Sequence, residues 1–172
     1  MTLFANGSPA ATWSALVTPD EAMVHDARHL TTRSSTALTA CGVGWDAVVV
    51  APLHRGLAAL DVLAVPLDAG LPVLADYARS ELAVLVEPGT GHMAAGAPGV
   101  RVLTRGSWLL VPTRGRGVLA AAWLSGPDAE GCVEAAALRG ALLRADVERV
   151  ESGRAGLRAA LGPAAPSSGP AR

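Results

Sequence analysis

The run Cys41-Gly42-Val43-Gly44-Trp45-Asp46-Ala47-Val48-Val49-Val50-Ala51-Pro52 sets the fold class of this chain. A short β-branched apolar segment bounded by glycines and a proline reads as a buried strand. Leu53, Leu57 and Leu60 follow at i, i+4 and i+7, which predicts an amphipathic helix from Leu53 to about Ala64. Further on, Pro72–Ala75 and Leu82–Glu87 read as strands, the second ended by Pro88-Gly89-Thr90-Gly91. After a Gly/Ala/Pro loop, Val100–Leu103 and Trp108–Val111 read as a hairpin around Thr104-Arg105-Gly106-Ser107. Val118–Leu124 reads as another strand and Asp128–Leu143 as a helix with a small-residue face. Val147, Val150, Leu157 and Leu161 continue the helical spacing, with a break expected at Ser152-Gly153.

Working back toward the N-terminus, Thr18-Pro19-Asp20-Glu21 carries the signals of a helix start, with Thr18 as cap and Glu21 closing a capping box. That helix should reach about Leu30, and the Ser/Thr-rich stretch 31–40 reads as loop. Residues 1–17 read as a loose segment and 162–172 as a disordered Pro/Gly/Ser tail. The expected fold is therefore α/β (α+β). It is one domain over 18–161, with a mixed or antiparallel central sheet flanked by helices.

Composition bounds the function classes. The 172 residues include 35 Ala and 14 Arg, with no Lys, Ile or Gln, a pattern of GC-rich coding. Hydrophobic content of 51% against 17% charged is globular rather than disordered. No apolar run approaches the roughly 18 residues of a membrane span. No basic stretch precedes an apolar core at the N-terminus, so a cytoplasmic location is expected. Cys41 and Cys132 stand apart with no CxxC spacing and read as reduced, buried thiols. Net charge is −1, unevenly spread: residues 1–87 hold nine acids and four arginines, whereas 88–127 hold four arginines and no acid. The middle segment is the candidate anion-facing surface.

The ordered series Cys41–Pro52, Leu53–Leu63, Pro72-Val73-Leu74 and Glu81–Thr90 resembles the N-terminal domain of bifunctional DNA primase/polymerases. Arg105-Gly106-Ser107-Trp108-Leu109-Leu110-Val111-Pro112, a Gly loop and Trp123 extend the resemblance, which covers about residues 40–145. Catalytic members of that family hold two divalent metals on an Asp-x-Asp pair and further ligands, since each metal must clamp an attacking and a leaving oxygen. Here Asp46 matches the first acid and Val48 stands at the second. The family's later His falls near Glu81, and no acid lies between Glu87 and Asp128, where the third should precede Trp108. The alternative register Asp61-Val62-Leu63 also lacks the second acid. The resemblance therefore implies a catalytically lapsed member, with Asp46 a vestigial catalytic candidate or a strand-start residue bonding to local backbone. No metal site and no cofactor is expected.

Arg101, Arg105, Arg114 and Arg116 read either as a phosphate or nucleic-acid face, the Gly-rich Arg114-Gly115-Arg116-Gly117 admitting a ligand to backbone N–H groups, or as solvated loop charges. Trp45, Trp108 and Trp123 could line a base-binding pocket, but large indoles in such positions read first as core anchors. His25 and His29 share a helix face without a third ligand and read as a surface pair. Ser34-Ser35 has no nucleophile elbow, and Cys41 has apolar surroundings. The expected function is a non-catalytic domain that binds a nucleotide, a nucleic acid or a protein partner through its Arg loops. The alternative is a small interaction or regulatory protein with no nucleic-acid role. No membrane partner is expected, and the oligomeric state is left open.

Overall fold

A computed structural model describes residues 12–29, 34–126 and 131–161. The expected tail at 162–172 and the first 11 residues lie outside the described residues.

The decisive run forms β2 (Asp46–Val50), buried at every position. It is one strand of a six-stranded antiparallel sheet with β3 (Val73–Asp76), β4 (Glu81–Val86), β5 (Val100–Leu103), β7 (Gly117–Val118) and β8 (Ala121–Ser125). The strand order is β5-β2-β4-β3-β8-β7, so β2 is paired on both sides, Val48 opposite Val84 and Val102. A second, two-stranded sheet joins β1 (Ser35–Ala40) to β6 (Trp108–Arg114), with Leu38 opposite Leu110. The continuous apolar run of β2 follows from burial on both faces: helices cover one and the β1–β6 ribbon covers the other.

On the helical face, Val48, Val50, Leu82, Val84 and Val86 pack against Leu53, Leu57 and Leu60 of α2 (Leu53–Val62) and Leu138 and Leu142 of α3 (Ala135–Leu161). On the ribbon face, a smaller cluster of Ala47, Val49, Leu74, Ala83 and Leu85 meets Leu109 and Val111 of β6. The result is an α+β fold with helices, main sheet and ribbon in three layers. Among the described residues no helix is long and apolar enough to cross a membrane.

Several local expectations are corrected. The 100–103 and 108–111 segments are strands but do not pair with each other. β5 bonds to β2, and β6 leaves the sheet for β1, because Leu109 and Val111 gain more burial by covering the free sheet face. The Ser/Thr-rich stretch is in large part strand β1, whose Thr residues suit a half-exposed ribbon and carry no apolar alternation. The first helix, α1 (Glu21–His29), starts after Asp20, whose Oδ1 accepts the Met23 N–H at 2.7 Å. Asp20, not Thr18, is thus the capping residue. The last helix starts at Ala135 and runs unbroken through Ser152-Gly153.

The segment before residue 18 is not loose over its described part. Trp13–Val17 forms a 3-10 turn, and Trp13 is 1% exposed within the helical core. The Trp13 indole donates to the Val65 carbonyl at 2.7 Å, and Asp61 accepts the Trp13 and Ser14 N–H groups. The domain thus includes residues upstream of the expected boundary.

Candidate functional site

Asp46 occupies the first position of β2 and is 1% exposed. Strand alternation puts it on the helical face with Val48 and Val50, beneath the Pro88–Gly91 turn. Its Oδ2 accepts the N–H groups of Gly89 at 2.9 Å and Gly91 at 3.1 Å, while Oδ1 has no hydrogen-bond partner among the described residues. A glycine is required at 91 by this packing: a Cβ there would lie 2.7 Å from Val102 Cγ1 and 3.0 Å from Asp46 Cβ. Asp46 also bears on Cys41. Burial pushes the Cys41 thiol above its ordinary pKa, and the nearby carboxylate adds to the shift. Cys41 is thus a buried thiol as expected, whereas Cys132 is exposed.

The other acids at family-motif positions are engaged elsewhere. Asp61 lies in the last turn of α2 and holds the Trp13–Ser14 backbone. Glu81 pairs with Arg101 at 2.6 Å. No group of three or more His, Cys, Asp or Glu able to hold a metal gathers among the described residues. His25 and His29 stack on exposed α1 with ring centroids 4.4 Å apart, and His25 pairs with Asp26.

The four arginines do not converge. Arg101, on β5, shares the ribbon-side face with Val49 and pairs with Glu81, on the opposite side of the sheet from Asp46. Arg105 lies in the turn before β6 and Arg114 ends that strand, roughly 20 Å away along it. Arg116 pairs loosely with Asp20 at 3.4 Å, both side chains exposed. Arg114 and Arg116 alone are neighbours, at the end of β6 and in the turn to β7.

Two cavities open where the narrow ribbon leaves the main sheet uncovered. One, of about 360 Å³, has an apolar floor from Leu38, Leu74, Leu103 and Trp108. Its rim charges are mutually paired, Arg101 with Glu81 and Arg79 with Asp76. The other, of about 430 Å³, is lined by Trp45 and Trp123, by Pro72, Pro88 and Pro112, and by Glu87 at its rim. Both volumes fall in the lower part of the range of small-molecule sites. The Trp123 Nε1 donates to the Pro112 carbonyl at 3.2 Å, and the Trp123 N–H donates to the Arg116 carbonyl at 2.8 Å. These bonds tie the Arg114–Gly117 loop to the edge of the Trp-lined cavity.

The expectation that Trp45, Trp108 and Trp123 are core anchors is corrected for Trp108, whereas Trp45 and Trp123 pack against the ribbon-face cluster and the Trp123 indole N–H is satisfied. Trp108 is 61% exposed, and Trp45 and Trp123 are half-buried with faces in the cavity. The fully buried indole is Trp13, which the sequence places in a stretch without helical or strand period. Sequence alone could not bring Trp45 and Trp123 together: 78 positions separate them, and the ribbon between their strands is what joins them.

Comparison with protein-family models, with curated proteins and with solved structures returned no match. Fold and site define an α+β protein with a ligand-sized, indole-lined cleft between a six-stranded antiparallel sheet and a two-stranded ribbon.

Proposed function

We propose that this chain is a non-catalytic nucleotide-binding domain of primase/polymerase-like ancestry, and that the base enters the cavity between Trp45 and Trp123. The observation that carries the reading is the placement of two half-buried indoles at one cavity whose edge is hydrogen-bonded to the Arg114–Gly117 loop. Indole faces stack on any base, and an arginine fork suits a phosphate. The non-catalytic part rests on the acids. Asp46 is spent on two backbone N–H groups, Asp61 on the N-terminal turn and Glu81 on Arg101.

Titration with nucleoside triphosphates and short single strands, followed by Trp fluorescence and calorimetry at low salt, tests the reading. Saturable quenching is expected, weakened about 5- to 150-fold by Trp45→Ala or Trp123→Ala, as loss of a base stack requires. Replacing Arg114 and Arg116 by Ala should flatten the salt dependence. No saturable binding of any nucleotide at low salt would refute it. A second reading, an interaction protein without a nucleic-acid role, draws on the exposed apolar residues of α3. It predicts unchanged Trp fluorescence throughout the same titration.

A further inference from the structure

Among the described residues, the 27-residue helix α3 buries positions in its first half alone: Ala135, Leu138, Ala141, Leu142 and Ala145. The opposite side carries a second, exposed row: Ala136, Gly140, Leu143, Val147, Val150, Arg154, Leu157 and Leu161. The steps along it alternate between four and three residues, which is the a/d spacing of a coiled-coil seam. Five of its members are large exposed apolar side chains. Gly140 has open space where a Cβ would stand, so no contact among the described residues accounts for a helix-weakening glycine there.

We propose that this row is the contact surface for a second copy of the chain, with the two α3 helices antiparallel and centred between Val147 and Val150. Charge complementarity selects this arrangement. Arg144 and Glu151 flank the seam on one side; on the other stand Arg139 and Asp146, whose carboxylate is already held by Arg55. In the antiparallel register that pairs Val147 with Val150 of the second copy, Arg144 faces Glu151 of that copy twice by symmetry. The other flank sets Asp146 against Gly153 and Arg139 against Ala160, without repulsion. Sliding by one heptad in either direction opposes like charges, Arg144 with Arg144, or Glu151 with Glu151. A parallel pair opposes Arg139 to Arg144 and Arg154 to Arg154.

Size complementarity agrees with charge. The favoured register seats Gly140 against Leu157 and Ala136 against Leu161 of the second copy, so small residues receive large ones at both ends. Arg154 meets Leu143, where its aliphatic stem can cover the leucine while the guanidinium reaches water. The register uses the row from end to end, about 39 Å of helix. Association is independent of the Trp-lined cavity, which lies on the ribbon side of the sheet.

Sedimentation and light scattering of the full chain test this, with circular dichroism confirming the fold of each variant. The parent is expected to be a concentration-dependent dimer, and Val150→Asp a monomer of unchanged fold. Arg144→Glu and Glu151→Arg each convert two attractive pairs into two repulsive ones and should weaken the dimer about tenfold. The double swap Arg144→Glu/Glu151→Arg should restore it to near the parent. A parent that stays monomeric, single reversals without effect, or a double swap that does not restore association would overturn the proposal.

Discussion

Replacing Asp46 distinguishes a residue that holds a turn from a remnant of a metal site. In Asp46→Ala the N–H groups of Gly89 and Gly91 lose their shared acceptor, and the Gly91 donor lies in the buried interior. Each hydrogen bond to a charged acceptor contributes about 1.5–3 kcal/mol net. Against this stands the relief of burying a carboxylate whose Oδ1 has no partner. The balance is a loss of about 3 kcal/mol, or about 6–12 °C in Tm for a chain of this size. Asp46→Asn keeps one oxygen for both donors and removes the charge, so it should cost less than half as much. Urea unfolding followed by far-UV circular dichroism, with and without Mn²⁺, measures both. If the Ala variant is within about 0.5 kcal/mol of the parent, the turn-holding role is refuted, since that is the ordinary scatter of surface substitutions. Stabilisation of the parent by Mn²⁺ that disappears in the Asn variant would instead assign Asp46 to metal.

Further predictions follow from other buried contacts. Arg55, 5% exposed on α2, makes two 2.8 Å bonds to Asp146 of α3 and a third to the Pro98 carbonyl. Asp146→Ala leaves that guanidinium buried with one acceptor and should cost about 3 kcal/mol in urea unfolding, more than Arg55→Met/Asp146→Leu, which removes both charges. The hydrogen bond from Arg55 holds the Asp146 carboxyl below its ordinary pKa. Its contribution is therefore complete above the unfolded value of about 4 and lost as pH falls through the lowered folded value. Acid unfolding of Asp146→Asn should accordingly be less steep than that of the parent below about pH 4. Trp13→Ala removes a buried indole and its bond to Val65, with a loss of about 3–5 kcal/mol expected in the same assay. Of the two thiols, Cys132 should react promptly with a disulfide reagent at neutral pH and Cys41 only on unfolding.

The strands at 46–50, 73–76, 81–86 and 100–103 were legible because each is a compact apolar run between turn residues. The α2 helix was legible because its leucines repeat at helical spacing. The ribbon strand β1 was not: Ser35, Thr36 and Thr39 give no apolar alternation, and the strand exists because β6 offers it a partner far along the chain, Ala40 opposite Trp108 and Ser35 opposite Arg114. The Trp13 anchor escaped for the same reason, since a single buried indole has no period. In the site, Arg114, Arg116 and the two indoles are each visible as residues. Their neighbourhood depends on β8 pairing beside the β6–β7 loop.

The sequence by itself determined the α+β class, the buried strand at 46–50 and the absence of acids over 88–127, because burial and charge are written in residue type and spacing. Tertiary structure alone decided which face of that strand Asp46 occupies and that its carboxylate caps a turn. It also decided that the arginines scatter while two tryptophans meet. Face, register and strand partner are set by competition among distant apolar surfaces for cover. Local spacing carries no record of which surface wins.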